Sequence, residues 1–248
     1  MARSAKVGEV RKPAKRAGVA DERVHQDLYK AIIDHRIAPG TPLQEDALAK
    51  AFGISRTVIR KVLQRLAHER LVELVPNKGA FVAKPTAEEA RHVFEARRAL
   101  ERVLVERAIE AGSDRDIATL VDTARQEKKA ADKGDKEERL KLSGIFHLQL
   151  ARIGGNPVLT GFLTELVSRS SLIIALYESP GAVPCSHGEH LEIATAIRQR
   201  NRARAVQYMN HHLQHIEAQL DLSNALVNVD FARLFRKDGA GRGSSPAG

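Results

Sequence analysis

The chain of 248 residues is 43% hydrophobic and 29% charged, so it can bury a sizeable core and is too apolar for a disordered polymer. No apolar run approaches the ~18 residues of a membrane-spanning helix, and no apolar segment follows the basic N-terminus as a secretory signal requires. The formal charge of +9 is unevenly spread: residues 1–85 hold 17 Lys and Arg against 9 Asp and Glu, a net of +8, which leaves +1 for residues 86–248.

That asymmetry aims the front third at a polyanion, while the lone cysteine, Cys185, excludes an intrachain disulfide framework and suits a reducing cytosol. Residues 1–20 carry six basic residues and one acidic residue among Gly, Ala and Pro, which predicts a disordered basic arm. A first helix is expected over Arg23–Arg36, with Val24, Leu28, Ala31 and Ile32 at helical spacing, then a loop, Ile37–Leu43, built on Pro39 and Pro42. A short helix, Glu45–Phe52, stops at Gly53, which suits a left-handed C-terminal residue. Ser55 caps a second helix running to about Arg70, with Val58, Ile59, Val62, Leu63 and Leu66 as its apolar stripe. Arg56, Arg60 and Gln64 fall four apart on another face, with Thr57 and Lys61 beside them. Leu71–Val75 and Ala80–Ala83 read as two short strands around the turn Pro76-Asn77-Lys78-Gly79.

Two helices joined by a tight glycine turn, the second of them basic, followed by a hairpin, make a winged helix-turn-helix. Any one of these basic residues alone is an ordinary solvated charge. Their combination with the turn and the wing points to double-stranded DNA, contacted by Ser55, Arg56, Thr57, Arg60, Lys61, Gln64, Lys78 and Gly79.

Lys84-Pro85 ends this unit, and Thr86-Ala87-Glu88-Glu89 is a capping box that opens a new one. From there only helical periodicity is expected, over 87–111, 114–133, 135–153, 157–177, 185–200 and 202–225, with Asn156-Pro157 as a cap followed by proline at the first helical position. The fold class is therefore mainly α: a basic arm (1–20), a winged helix-turn-helix (21–84), an all-helical bundle (86–228) and a Gly/Ser/Pro-rich disordered tail (236–248). Seven histidines lie after residue 86, and imidazoles from different helices can meet in a bundle core around a divalent metal. Taken singly, a histidine is more often an exposed or hydrogen-bonded side chain, which is the reading for His92, His187, His211 and His215.

The order helix, Ile-Xaa-Pro-Gly-Thr-Xaa-Leu, helix, Ile-Ser-Arg-Thr-Xaa-Xaa-Arg and a Pro-Asn-Lys-Gly-Ala-Phe-Val wing resembles the N-terminal domain of GntR-family bacterial transcriptional regulators. Members usually show Pro-Val-Arg-Glu-Ala where this chain has Val58-Ile59-Arg60-Lys61-Val62, so Lys61 makes this face more basic. Phe146-His147-Xaa-Xaa-Leu150, Gly155-Asn156-Pro157, Glu189-His190, Ala205, Met209 and His212-Leu213 are similar to the FCD ligand-sensing domain of the FadR-like branch. The resemblance implies a metal site at His147, His190 and His212, with Ser143 where the usual Asp would be. It also implies effector contacts by Arg97, Ser143 and Asn156. A neutral hydroxyl is a poor stand-in for a carboxylate, but three histidines still hold Zn or Ni with positions open to an effector oxygen. If the metal has been lost, the histidines donate directly to an anionic effector.

The implied protein is a cytoplasmic, non-enzymatic regulator. It binds a palindromic operator as a homodimer, as a repressor released by a small organic acid, and has no membrane partner. Two rivals differ in class. One is an architectural DNA binder whose bundle only dimerises. The other is a metal-dependent hydrolase on the three histidines, weakened because the one nearby acid, Glu189, adjoins a ligand and is expected to point elsewhere.

Overall fold

The computed structural model describes residues 14–178 and 188–223, and side chains from Asp21 onward. Most of the expected basic arm and all of the C-terminal tail lie outside these residues, as do Cys185 and His187.

Helix α1 spans Ala14–Ile33, so it starts earlier and stops sooner than expected. Residues 14–20 of the expected arm are helical, as Ala14, Lys15, Arg16, Ala17 and Ala20 favour despite Gly18. His35, with φ 58°, turns the chain out of the helix. Helix α2 is Glu45–Phe52, closed by Gly53 at φ 65°, and α3 is Arg56–His68, with the Ser55 hydroxyl accepting from Val58 N. Strands β1 (Val72–Val75) and β2 (Gly79–Val82) pair antiparallel about a turn in which Asn77 and Gly79 both have positive φ. The preceding loop is more ordered than its two prolines suggest. Leu43 N donates to Ala80 O and Val82 N to Thr41 O, so Thr41–Leu43 lies along β2 as a short third edge.

The winged head closes over Val24, Leu28 and Ile32 of α1, Ile59, Val62, Leu63 and Leu66 of α3, and Leu71, Ala80 and Val82 of the hairpin. Val58, expected on the same stripe, is only half-buried. Leu172, from far along the chain, completes this core with no exposed surface.

The remaining described helices are α4 (Ala87–Ala111), α5 (Asp114–Asp132), α6 (Lys136–Ile153), α7 (Pro157–Tyr177), α8 (Glu189–Arg198) and α9 (Arg202–Ala218). Their caps explain their starts. Thr86, Ser113, Asp135, Asn156 and Asn201 each accept a backbone N–H of the first turn through a side-chain oxygen. Helix α9 ends earlier than expected, and Leu220 forms an isolated bridge with Glu178 where only helix was anticipated. The bundle core joins Val105 and Ala108 of α4, Leu120 and Ala124 of α5, Phe146 and Leu150 of α6, Ile193 and Ile197 of α8, and Met209 and Leu213 of α9.

By length and composition α7 could cross a membrane, contrary to the sequence expectation, because its only charged residues are Glu165 and Arg169. Here it packs against α1, α4 and α6, and Arg169 pairs with Glu165 and Glu89.

Candidate functional site

Opposite its buried stripe, α3 exposes Arg56, Thr57, Arg60, Lys61 and Gln64; Ser55 at the cap and Lys78 and Gly79 at the hairpin tip are exposed as well. The acids that open α2 hold the two arginines. Arg60 Nε and Nη2 donate to the two carboxylate oxygens of Glu45 at 2.9 and 2.7 Å, and Arg56 Nε lies 3.0 Å from Asp46. Both guanidiniums remain 60% exposed. Solvent-exposed pairs of this kind contribute little, so a phosphate or a guanine edge can displace the carboxylates. Nothing in the helical pattern signalled this clasp, since it depends on how α2 crosses α3.

In the bundle, α6, α8 and α9 bring His147, His190 and His212 together, all buried. His190 Nε2 lies 3.2 Å from His147 Nε2 and 3.0 Å from His212 Nε2. Behind the rings stand three carboxylates. His147 Nδ1 donates to Glu101 at 2.5 Å, His190 Nδ1 to Glu127 at 2.5 Å, and His212 Nδ1 to Glu189 at 2.7 Å. An ionised carboxylate only accepts, so each Nδ1 carries the hydrogen and each Nε2 turns a lone pair into the common space. A shared proton can relieve one pair of facing lone pairs; a metal cation can accept all three. Two imidazole nitrogens on one Zn²⁺, each ~2.0–2.1 Å away, stand roughly 3.0–3.4 Å apart, the spacing His190 Nε2 keeps from each of the other two, and all three ligand atoms lie within 4.8 Å of one another. The donor set, the carboxylates that fix the tautomers and the spacing therefore all fit a divalent metal.

Burial drives the His147 imidazole down to about 3 against the pull of Glu101, and the His212 imidazole down to about 4. Both are therefore neutral and free to ligate near pH 7. For Glu101, burial alone would push the carboxyl up, but Arg97 and His147 outweigh it and hold the group at about 2.

Arg97 is no surface ion pair. It is 2% exposed, its Nε donates to Glu101 at 2.7 Å and its Nη1 to Ser170 Oγ at 2.9 Å, while its Nη2 is buried without a partner. Beside it opens a cavity of about 60 Å³ lined by Arg97, Ser143, His147 and Ser170, and also by Arg139, which the sequence reading passed over. Asn156 does not join them. It stands at the start of α7, where its Oδ1 accepts from Val158 N and Leu159 N, and capping accounts for it fully. Glu189 corrects another expectation, for it grips His212 and also accepts from His215 Nδ1 at 2.7 Å. His92 and His211 are exposed.

The cavity reaches the winged head, because Ile33 and His35 line it too. His35 Nε2 donates to Ser171 O at 2.9 Å, Ser171 Oγ donates to Ile33 O at 3.0 Å, and Tyr29 Oη pairs with Ser168 Oγ at 2.6 Å. Helix α7 thus touches the cavity through Ser170 and enters the core of the head through Leu172.

Comparison with known proteins places both halves. Residues 20–82 match the model for bacterial regulatory proteins of the gntR family, and residues 92–215 match that of the FCD domain. The HTH-type transcriptional repressor RspR of Escherichia coli (strain K12) is 25% identical over 199 residues, covering 79% of this chain and 86% of its own. The Nta operon transcriptional regulator of Aminobacter aminovorans is 26% identical over 202 residues, covering 81% and 95%. Among solved structures, McbR/YncC of E. coli superposes with a TM-score of 0.72 at 20% identity, covering 80% of this chain and 95% of its own. A GntR transcriptional regulator from Rhodococcus sp. RHA1 gives 0.69 at 26% identity, covering 81% and 97%.

Proposed function

Because the chain belongs to the GntR family of bacterial regulatory proteins, in the branch that carries an FCD domain, it is a DNA-binding transcriptional regulator, and we propose that a small anionic effector controls it. The reading divides it into a DNA-reading head (21–84) and a sensing bundle (86–228). It acts in the cytoplasm as a homodimeric repressor on a palindromic operator, released by an organic acid. The observation that carries this is the shared cavity: the same lining includes Arg97, Ser143 and His147 from the bundle and Ile33 and His35 from the head.

The steps follow from the residues. Helix α3 enters a major groove, with Arg56 and Arg60 exchanging Asp46 and Glu45 for phosphate or guanine and Lys78 at the wing approaching the neighbouring minor groove. An exposed apolar strip supports dimerisation. Val103 on α4 and Val158 and Phe162 on α7 are 42%, 63% and 57% exposed, and α4 packs against α7. A second copy covering this strip sets two heads on two half-sites.

His147, His190 and His212 are the residues that would hold a divalent metal. When bound, it supplies a Lewis-acid position for an effector oxygen, with Ser143 in place of a fourth charged ligand. An effector acid then takes the unpartnered Arg97 Nη2. That contact pulls on Ser170, one residue from the Ser171 hydrogen bonds that dock α1 and two from Leu172 in the head's core. The effector acts only to the extent that it binds one head placement better than the other.

Catalysis is not part of the reading. Each carboxylate of the centre accepts from an Nδ1, on the far side of its ring from the converging Nε2 atoms, so none is set as a general base there.

The test is footprinting of the full-length, zinc-loaded protein on DNA flanking its own gene. A salt-sensitive, twofold-symmetric footprint that weakens with a carboxylate supports the proposal. A footprint that no small molecule changes favours an architectural role, and no sequence preference at all refutes the reading.

A further inference from the structure

We infer that the effector carries an acid group at each end, and that Arg139 is the specificity-determining anchor for the second of them. This rests on the reading of the cavity as an effector site and names the chemical class that site selects.

Arg139 lines the cavity and is 6% exposed, yet among the described residues no carboxylate or hydrogen-bond acceptor engages its guanidinium. A guanidinium cannot shed its charge, and the nitrogens of this one keep access to the cavity without a protein acceptor among the described residues, which favours an anion there. The one carboxylate in the lining, Glu178, makes no hydrogen bond to Arg139 and accepts instead from Lys136 Nζ, through Oε2, at 3.2 Å.

Arg139, Ser143 and His147 follow one another at every fourth residue along one face of α6. With a rise of ~1.5 Å per residue, the backbone of Arg139 stands roughly 12 Å from that of His147, and its side chain leans further towards the helix N-terminus. Arg97 belongs to the opposite end, bound through Glu101 to His147, with its own Nη2 unpartnered. The two guanidiniums therefore face one cavity from different points of its wall, and Leu140, Val167, Ile174 and Ile216 give that wall its apolar surface. The cavity of about 60 Å³ amounts to only some four to six water-sized positions at ~10–15 Å³ each. A compact dicarboxylate with a short apolar middle matches these features. A monocarboxylate leaves Arg139 unpaired, and a long acid does not fit.

The experiment is calorimetric titration of the full-length, zinc-loaded protein with malonate, succinate and glutarate, each against its monoacid counterpart propanoate, butanoate or pentanoate. The wild type is expected to bind at least one diacid roughly tenfold or more tightly than its monoacid, the size of one charge-assisted contact. Arg139→Gln should bring that ratio to about one, and Arg139→Lys, which keeps the charge without the fork, should retain part of it. The Lys variant also decides the matter if the Gln variant does not fold: a ratio equal to the wild type's would overturn the inference. So would a wild type with no diacid preference, or a preference surviving Arg139→Gln. If the wild type binds none of the six acids, the organic-acid reading of the cavity fails as well, which separates that failure from a failure of Arg139 alone.

Discussion

Glu101 is the joint between the imidazoles and the arginine, and replacing it with the isosteric Gln tests whether its charge holds the bundle centre together. It has no exposed surface and spans Arg97 at 2.7 Å and His147 at 2.5 Å. Its pKa of about 2 against an ordinary 4.5 corresponds to about 3 kcal/mol favouring the ionised form in the folded chain. Removing one partner of a buried pair costs ~3–5 kcal/mol, because the other charge is left uncompensated, so the two routes agree. At ~2–4 °C per kcal/mol for a chain of this size, Glu101→Gln should lower the midpoint of thermal unfolding by roughly 6–12 °C at neutral pH. The lost tautomer control at His147 should also weaken zinc binding by about 10–100-fold. Differential scanning calorimetry with and without zinc reads both effects. A midpoint within a degree or two of the wild type, with the same zinc affinity, would mean that Glu101 neither neutralises Arg97 nor orients His147.

Arg60→Ala should cost ~1–3 kcal/mol of operator affinity and relax specificity at one base pair, measured by fluorescence anisotropy on a panel of single-base operator variants. An equal loss on every sequence would reduce Arg60 to a phosphate contact. In the chelator-treated protein, His147 and His212 have folded pKa values of about 3 and about 4, below their unfolded value of 6.5. The unfolded chain therefore takes up protons first as the pH falls. Stability should drop by about 2 kcal/mol per imidazole between pH 6.5 and 5, and a flat denaturant midpoint across that window would show that these rings are not neutral and buried. Phe162→Asp places a charge in the exposed apolar strip and should reduce the mass in multi-angle light scattering from a dimer to a single chain of 27.3 kDa. A surviving dimer would locate the interface elsewhere.

What could be read in advance was local. Apolar spacing and side-chain caps are set within a few residues, so the bounds of α2, α4 and α7 and the caps Ser55, Thr86 and Asn156 follow from the chain alone. The three histidines were singled out only through a family spacing, since nothing local distinguishes His212 from exposed His211. The carboxylates behind them were illegible for a physical reason. Glu101, Glu127 and Glu189 reach their imidazoles across 46, 63 and 23 residues of sequence, from helices whose relative rotation no periodicity specifies. The same holds for Arg139, which looks like any surface arginine until α6 is turned inward, and for Leu172, an α7 residue spent in the core of the head. The Glu45 clasp on Arg60 and the pairing of Thr41–Leu43 with β2 likewise depend on packing between elements rather than within them.

The central claim is that filling the cavity changes how the heads hold DNA. The direct measurement is the dissociation constant of the zinc-loaded protein for its operator, at fixed salt, with the cavity empty and with it saturated by whichever acid titrates tightest. The account predicts a change of about 5–150-fold, matched by the same factor in acid affinity when DNA is present. An acid that binds with a clear heat while the operator dissociation constant stays the same would contradict it.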